Sequence, residues 1–433
     1  MGQRNNVVQG PVAARERSST LAFLARTRVV LIAPFQTRPW IGWVAWYVFV
    51  AVAIARIHPR RFNSTFMAYL DAAERLSARE HVYNPFILGD FLYFPISLLI
   101  HVPLTRIDPV AAAAIVLTIS AGFFTWACAT LVSKLLADQG RNRDAFALAG
   151  VVLLINIPAA WFNFKGIQAQ VPMTAAMMAT SAAMINARWR VAAFWLFVAI
   201  VMKPLAFVMV LLCAALVREM RLPLIVAVVV VVLLPFAVVD WSYLISEYQA
   251  MGLKLWHIAT VPALDWPYQA DFSTMLRAFG VQLSPSVALG VRLAAALGTL
   301  ALAWRVQRTG SSRSFAIAVL VLSGCYITLF GPRNEFLSFI VLTPSLAILA
   351  GLMLIRDDAD YRGWLLIAAA LTLGFAWSLE IDAVLKPAVV VAIYLWLAWT
   401  MAAPARWREI MEPGAAPSRD AAPIAMSAVP GGR

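Results

Sequence analysis

Long apolar runs separated by short polar segments make up most of this 433-residue chain. Several runs reach the roughly 18–20 residues that an α-helix needs to cross a bilayer. Hydropathy along the chain predicts about twelve spans. They lie near residues 39–57, 109–135, 145–162, 168–186, 189–202, 204–217, 222–239, 284–305, 313–330, 334–354, 363–380 and 384–402. This pattern is typical of an all-α, polytopic integral membrane protein.

The stretch TFMAYLDAAERL, residues 65–76, follows the first span but has a different pattern. Its apolar residues recur at spacings of three and four, which predicts one helical stripe with acidic and basic residues on the other side. We expect an interfacial helix lying flat on the membrane, apolar side down, within an outer loop over residues 58–108. The stripe comprises Phe66, Tyr69, Leu70, Ala73 and Leu76.

The charged side of this helix has two interpretations. Asp71 and Arg75 stand four residues apart, so they can form a surface ion pair worth a few tenths of a kcal/mol. Alternatively, Asp71 or Glu74 faces a cavity roofed by the loop and acts as a general base. The pattern alone leaves both open.

Two apolar stretches do not fit ordinary spans. If residues 91–104 crossed the membrane, the basic loop around Arg141 would face outward, against the positive-inside rule, so an interfacial or re-entrant segment is predicted. Residues 189–217 are interrupted by Lys203 and Pro204. Proline disfavours a continuous helix and a mid-bilayer lysine costs a few kcal/mol, which predicts two short helices that meet there and line an outward-facing cavity.

Composition and charge narrow the class of protein. Hydrophobic residues are 62% of the chain and charged residues 13%, too apolar for an ordinary soluble domain. The net charge of +13 comes with arginines at segment ends, which indicates membrane topology rather than nucleic-acid binding. The three cysteines lie in apolar segments and no metal-ligand spacing is present, so neither a metal nor another cofactor is expected.

Sorting the charges by the positive-inside rule predicts the domain organisation. Residues 1–38 are a basic cytoplasmic leader, residues 39–403 the transmembrane domain, and residues 404–433 a disordered cytoplasmic tail. Both termini are then inside. The large loops 58–108 and 240–282 are then outside.

The predicted outer face collects side chains suited to a phosphorylated sugar. Lys203, Arg333 and Lys165 are candidate ligands of a phosphate, although lysines at helix ends can also snorkel to the interface. Polar and aromatic residues there suit sugar hydroxyls and rings, or simply an interfacial belt. These candidates for a sugar or acceptor are Gln168, Tyr69, Tyr93 and Asn334.

The run TFMAYLDAAERLSAREHVYNP, followed by FLYFP, resembles the first-loop signature of GT-C membrane glycosyltransferases. It is most similar to the polyprenyl-phosphate-mannose-dependent mannosyltransferases of the family 87 type. Four later segments resemble the same family in order and spacing. They are KGIQAQ, MKPLAFVMVLLCAALVRE, YQADFSTMLRAFG and GPRNEFLSFIVLTP.

The resemblance implies a GT-C-like fold and an inverting transfer of mannose or a similar sugar from a polyprenyl-phosphate donor to a lipid or glycan acceptor. The family's catalytic aspartate falls where this chain has Thr65, and threonine cannot accept a proton at neutral pH. Asp71 and Asp90 are the nearest replacements. An active site facing outward from the cytoplasmic membrane would suit a lipid-linked donor.

Two other kinds of membrane protein have sequences of similar organisation. A transporter or flippase of lipid-linked sugars should show two related halves with matching broken helices, whereas in this sequence the break at Lys203-Pro204 has no match in a second half. A polysaccharide polymerase or ligase would have an arginine-rich large loop, whereas residues 240–282 contain only Arg277. Both observations favour the glycosyltransferase, and the oligomeric state is not predicted.

Overall fold

A computed structural model describes residues 37–57, 64–84, 91–137, 141–260, 269–331, 334–355 and 360–412. Within these ranges the chain is α-helical, with short 3-10 turns and no strand beyond one isolated bridge. The helices are α1 Ile41–Ala55, α2 Ser64–Ala78, α3 Pro95–His101, α4 Pro109–Leu136, α5 Asn142–Ile155, α6 Ile157–Gly166, α7 Gln170–Ile185, α8 Trp189–Met202, α9 Phe207–Leu216, α10 Arg218–Leu233, α11 Trp241–Thr260, α12 Phe272–Ala278, α13 Pro285–Thr309, α14 Ser312–Phe330, α15 Thr343–Leu354, α16 Tyr361–Gly374, α17 Leu379–Met401 and α18 Pro404–Met411.

Several helices are long and apolar enough to cross a membrane. Five segments of the described chain qualify, and α5 and α6 together would make a sixth. The all-α, multi-pass class is therefore confirmed. The count of about twelve spans stays a prediction because the other apolar helices have only 10–17 residues. The five segments are Pro109–Leu136, Arg218–Ala237, Pro285–Thr309, Ser312–Phe330 and Leu379–Met401.

The predicted span 145–162 is bent by 57° at Asn156, between α5 and α6. Pro158, at the start of α6, has no backbone N–H to continue the α5 ladder. The buried Asn156 side chain donates to the Val152 carbonyl oxygen and accepts from the Thr343 hydroxyl, each at 2.7 Å. These bonds compensate the polar groups that the bend leaves inside the protein.

Helices α7 and α14 form the centre of the main core, because nearly all of their side chains are buried. By contrast, α13 is mostly exposed apolar surface, as expected of a helix that faces lipid. At the edge of the core α1 and α5 meet through glycines: a Cβ on Gly42 would lie 2.2 Å from the Gly150 carbonyl oxygen. Only glycine permits this approach.

Gly42→Ala should therefore lower the free energy of unfolding by about 1–3 kcal/mol, since the added methyl group forces the two helices apart. The measurement is the midpoint of thermal unfolding in detergent. Gly122→Ala on α4 is the matched control, since no atom lies within 4 Å of its added Cβ, and it should stabilise the helix by about 1 kcal/mol. An unchanged midpoint for Gly42→Ala would contradict the close approach.

The apolar stripe predicted for residues 65–76 forms, but it packs on protein. Phe66, Tyr69 and Leu76 are buried in a second core with residues that precede α3 and begin α4. Met251 of α11 also belongs to this core. Whether α2 also touches the membrane surface stays a prediction, but its apolar side is covered by the chain itself.

Segments predicted to share the outer side meet in the structure. The buried Glu247 of α11 accepts hydrogen bonds from the Val82 N–H at 2.9 Å and the Tyr83 N–H at 3.3 Å, and pairs with His81 at 2.8 Å. Tyr243 donates to the Glu80 carbonyl oxygen at 2.6 Å. The described parts of loops 58–108 and 240–282 are thus bound together.

The prediction that residues 404–433 are disordered is wrong for the first residues of this range. Residues Pro404–Met411 form α18, with Trp407 and Ile410 buried against neighbouring helices. Arg408 donates to the Thr309 carbonyl oxygen, and Glu412 accepts from Ser314, which ties α18 to the α13–α14 connection. Residues 413–433 and most of the predicted leader lie outside the described residues.

Candidate functional site

Lys203 lies where the stretch 189–217 breaks, as predicted. Helix α8 ends at Met202 and Lys203 is extended, because Pro204 disfavours helical backbone at the preceding residue. The half-buried Lys203 ammonium lies 5.7 Å from the centre of the Tyr93 ring. Within the described ranges it makes no ion pair and no hydrogen bond, so an anionic ligand can take that role.

Tyr93 connects the break to α2. Its phenol oxygen is 2.9 Å from that of Tyr69, and Tyr83 donates to its carbonyl oxygen at 2.5 Å. Burial raises the pKa of both Tyr69 and Tyr93, so both phenols keep their protons at neutral pH. One O–H group is used within the pair and the other can donate to a ligand.

The turn after α6 brings Gln168 to α2. Ile167 has left-handed backbone, with φ 49° and ψ 50°, and the Gln168 N–H donates to the Asn163 carbonyl oxygen at 2.9 Å. A β-branched residue in this conformation costs on the order of 1–3 kcal/mol, a cost found at functional turns. The turn directs Gln168 inward, where its side-chain N–H donates to the Thr65 hydroxyl at 3.0 Å.

The residues that follow α14 add Glu335 to this site. Glu335 forms an antiparallel bridge with Gln269 of the second outer loop. Two residues further on, the Leu337 carbonyl oxygen accepts from Asn163 of α6 at 2.9 Å. At the other end of the segment, Gly331 packs beside Leu205 of the break. The backbone at Glu335 is therefore held between α6 and the second outer loop.

The charge of Glu335 also affects residues of the neighbouring segments. It acts electrostatically on Tyr69, Tyr93 and Lys203. We call the convergent residues the polar cluster. Its members are Thr65, Tyr69, Tyr93, Gln168, Lys203 and Glu335.

Four of the ten predicted site residues thus belong to the polar cluster, although their binding roles stay predictions. They are Tyr69, Tyr93, Gln168 and Lys203. Lys165 lies at the end of α6 with an exposed side chain, three residues before Gln168. Asp90 and Arg333 lie outside the described residues.

The structure does not bring Asp71 or Glu74 into the cluster. Both are exposed. At about 100° per residue, Asp71 lies about 200° around α2 from Tyr69, and Glu74 lies about 180° from Thr65. Asp71 instead pairs with Arg75 at 2.8 Å. The surface ion pair considered for this helix is therefore present, and a role of either carboxylate as base stays a prediction.

Asn334 is buried, and its amide group serves the fold. Its side-chain N–H groups donate to the carbonyl oxygens of Ala270 and Thr328, and its backbone carbonyl oxygen accepts from the Ala270 N–H at 2.8 Å. These bonds place Glu335 next to the second outer loop. A direct contact of Asn334 with sugar stays a prediction.

Two features of the site escaped sequence reasoning. The position of Glu335 depends on partners more than sixty residues away, so the motif GPRNE revealed only its residue types. Glu247, which fixes the 81–83 segment, carried one signal: it is an acidic residue within an aromatic-rich helix. In the described part of the chain, no three histidine, cysteine or acidic side chains are grouped to hold a metal ion.

Comparison with known proteins indicates the class of reaction. The family model described as glycosyltransferase family 87 matches residues 91–332, more than half of the chain. No curated protein matches this sequence. The matched range contains Tyr93, Gln168 and Lys203, whereas α2 and Glu335 lie outside it. The chain therefore belongs to glycosyltransferase family 87.

Proposed function

We propose that this protein transfers mannose or a similar sugar from a polyprenyl-phosphate donor to a lipid or glycan acceptor at the outer face of the cytoplasmic membrane. Family membership supports glycosyl transfer, and the apolar helices support substrates that are reached from the membrane. Outer loops 58–108 and 240–282 would then roof the site, with both termini inside.

The Lys203 ammonium is the observation that carries this proposal. Glu335 acts on this half-buried cation but forms no ion pair with it, so burial of the charge stays costly unless a ligand compensates it. A phosphate does so, since lysine offers a compact positive charge. The Tyr69–Tyr93 pair beside it provides a phenol O–H, and Gln168 an amide, for the sugar or the phosphate.

The chemistry follows from these positions. The acceptor hydroxyl attacks the anomeric carbon, and the bond from that carbon to the phosphate oxygen breaks with inversion. Negative charge develops on the leaving polyprenyl phosphate, where the Lys203 charge and the phenol stabilise it. The hydroxyl proton passes to a carboxylate. Lys165 and Arg333 remain candidates for further phosphate contacts.

Radiolabelled polyprenyl-phosphate mannose tests the proposal. Membranes with the protein should give a labelled lipid or glycan product that membranes without it do not give. Parallel incubations with other polyprenyl-phosphate sugars identify the sugar, and a nucleoside-diphosphate sugar given to the purified protein should yield no product. Product formation from the nucleotide sugar alone would contradict a lipid-linked donor.

A further inference from the structure

The polar cluster contains one carboxylate among the residues that the structure describes, and that carboxylate is Glu335. Thr65, which faces Gln168 from α2, carries a hydroxyl that cannot take up a proton at neutral pH. Asp71 and Glu74 point to the opposite side of the same helix. Among the described residues, Glu335 is therefore the candidate proton acceptor for a transfer at this cluster.

Glu335 also differs from the neighbouring acids in that Lys203, which interacts with it electrostatically, lies beyond ion-pair distance. Glu247 accepts two backbone N–H groups and pairs with His81, and Asp271 caps α12 by accepting from the Thr274 N–H at 2.7 Å. Asp382 pairs with Lys386. Within the described ranges, the Glu335 carboxylate makes no ion pair and no hydrogen bond. Its lone pairs are available to a substrate hydroxyl.

The backbone around Glu335 is nonetheless fixed. The bridge to Gln269 and the Asn334 bonds to Ala270 fix this short segment to the second outer loop, and the Asn163 bond to Leu337 fixes it to α6. A base must stand at a defined distance from the proton that it removes, and such anchoring provides that position. An unpaired carboxylate on a well-held backbone favours a catalytic over a structural role.

We propose that Glu335 is the general base of this transferase, an assignment that rests on the proposed function. The Glu335 carboxylate removes the proton of the acceptor hydroxyl as its oxygen bonds to the anomeric carbon. The bond from that carbon to the phosphate oxygen breaks, and polyprenyl phosphate leaves beside Lys203. Water then takes the proton from Glu335 and restores the carboxylate.

Glu335→Gln tests the assignment because it keeps size and polarity but removes the proton acceptor. We expect kcat to fall about a hundredfold or more, with little change in KM for the polyprenyl-phosphate donor. Glu380→Gln, an exposed acid at the start of α17, is the matched control and should retain activity. Asp71→Asn is measured alongside as the competing base.

A conservative variant and a rescue separate catalysis from structure. Glu335→Asp keeps a carboxylate in the cluster and should retain more activity than Glu335→Gln. Thr65→Asp introduced into Glu335→Gln places a carboxylate back in the cluster. It should recover activity by about tenfold or more, which a folding defect would not allow.

The results of these experiments distinguish failure of the Glu335 assignment from failure of the proposed function. Wild-type transfer with full activity in Glu335→Gln overturns the assignment of Glu335 and leaves the proposed function intact. The same holds if Glu335→Gln is inactive but neither Thr65→Asp nor Glu335→Asp recovers any activity. If wild-type protein transfers no sugar from any polyprenyl-phosphate donor, the proposed function fails and the assignment fails with it.

Discussion

Lys203→Met should lower kcat/KM for the polyprenyl-phosphate donor by about 10²–10³-fold, the effect expected from removing one preorganised group at a developing charge. Methionine keeps an unbranched stem of similar length beside the Tyr93 ring but lacks the ammonium. Because burial of the Lys203 charge is costly and no ion pair within the described ranges compensates it, its removal should change the free energy of unfolding little.

Steady-state transfer with varied donor concentration provides the measurement, together with thermal unfolding in detergent. Lys134→Met is the matched control, since Lys134 is also half-buried but lies in the last turn of α4, outside the polar cluster. It should transfer sugar at the wild-type rate. An unchanged kcat/KM for Lys203→Met would contradict the placement of the donor phosphate beside Lys203.

Asp382→Asn should destabilise the protein by about 3–5 kcal/mol, because it leaves a buried ammonium without its counter-charge. Asp382 and Lys386 are both buried on one side of α17, with their nitrogen and oxygen 3.3 Å apart. The Lys386 ammonium also donates to the Phe336 carbonyl oxygen at 3.3 Å. The aromatic rings of Phe336 and Phe339 lie 5.5 Å from it.

The double variant Asp382→Leu with Lys386→Met distinguishes lost charge balance from lost packing. It should recover most of the stability, since an apolar pair can replace a buried ion pair at little cost. The Trp377 N–H, which now bonds to Asp382, would lose its partner at about 1–3 kcal/mol. Thermal unfolding in detergent checks both variants, and a double variant no more stable than Asp382→Asn would contradict the explanation.

The ion pair also matters for the site, since Phe336 directly follows Glu335. A small pocket adjoins Lys386 and is lined in part by Phe336 and Leu337. Loosening the α17 side of this segment should therefore reduce activity as well as stability. A fall in activity that is restored in the double variant would connect the two.

Local sequence patterns determined most helices and the break between α8 and α9. Apolar runs and the spacing of Phe66, Tyr69 and Leu76 depend only on nearby residues, and Pro204 acts on its own backbone and on Lys203. The family also followed from the order of short motifs along the chain, and the match over residues 91–332 confirms it. These features need no knowledge of distant partners.

The sequence was less informative wherever a residue depended on what it packs against. Residues 145–162 read as one span, whereas the Asn156–Thr343 bond and Pro158 divide them into α5 and α6. Similarly, Trp407 is buried against neighbouring helices in a segment whose composition predicted disorder. Composition records how apolar a segment is, but burial also depends on the partner that the fold supplies.

The polar cluster was decided by the tertiary structure alone. Its residues come from five segments, and hydrogen bonds such as those from Gln168 to Thr65 and from Asn163 to Leu337 join positions more than one hundred residues apart. The sequence indicated Lys203 and Tyr93 as separate candidates and offered Asp71, Glu74 and Asp90 as candidates for the base. The helical period turns Asp71 away from Tyr69. Only the packing of α6 and the second outer loop against the segment of Glu335 places a carboxylate beside Lys203 and Tyr93. The sequence does not show this arrangement because long-range contacts leave no local pattern.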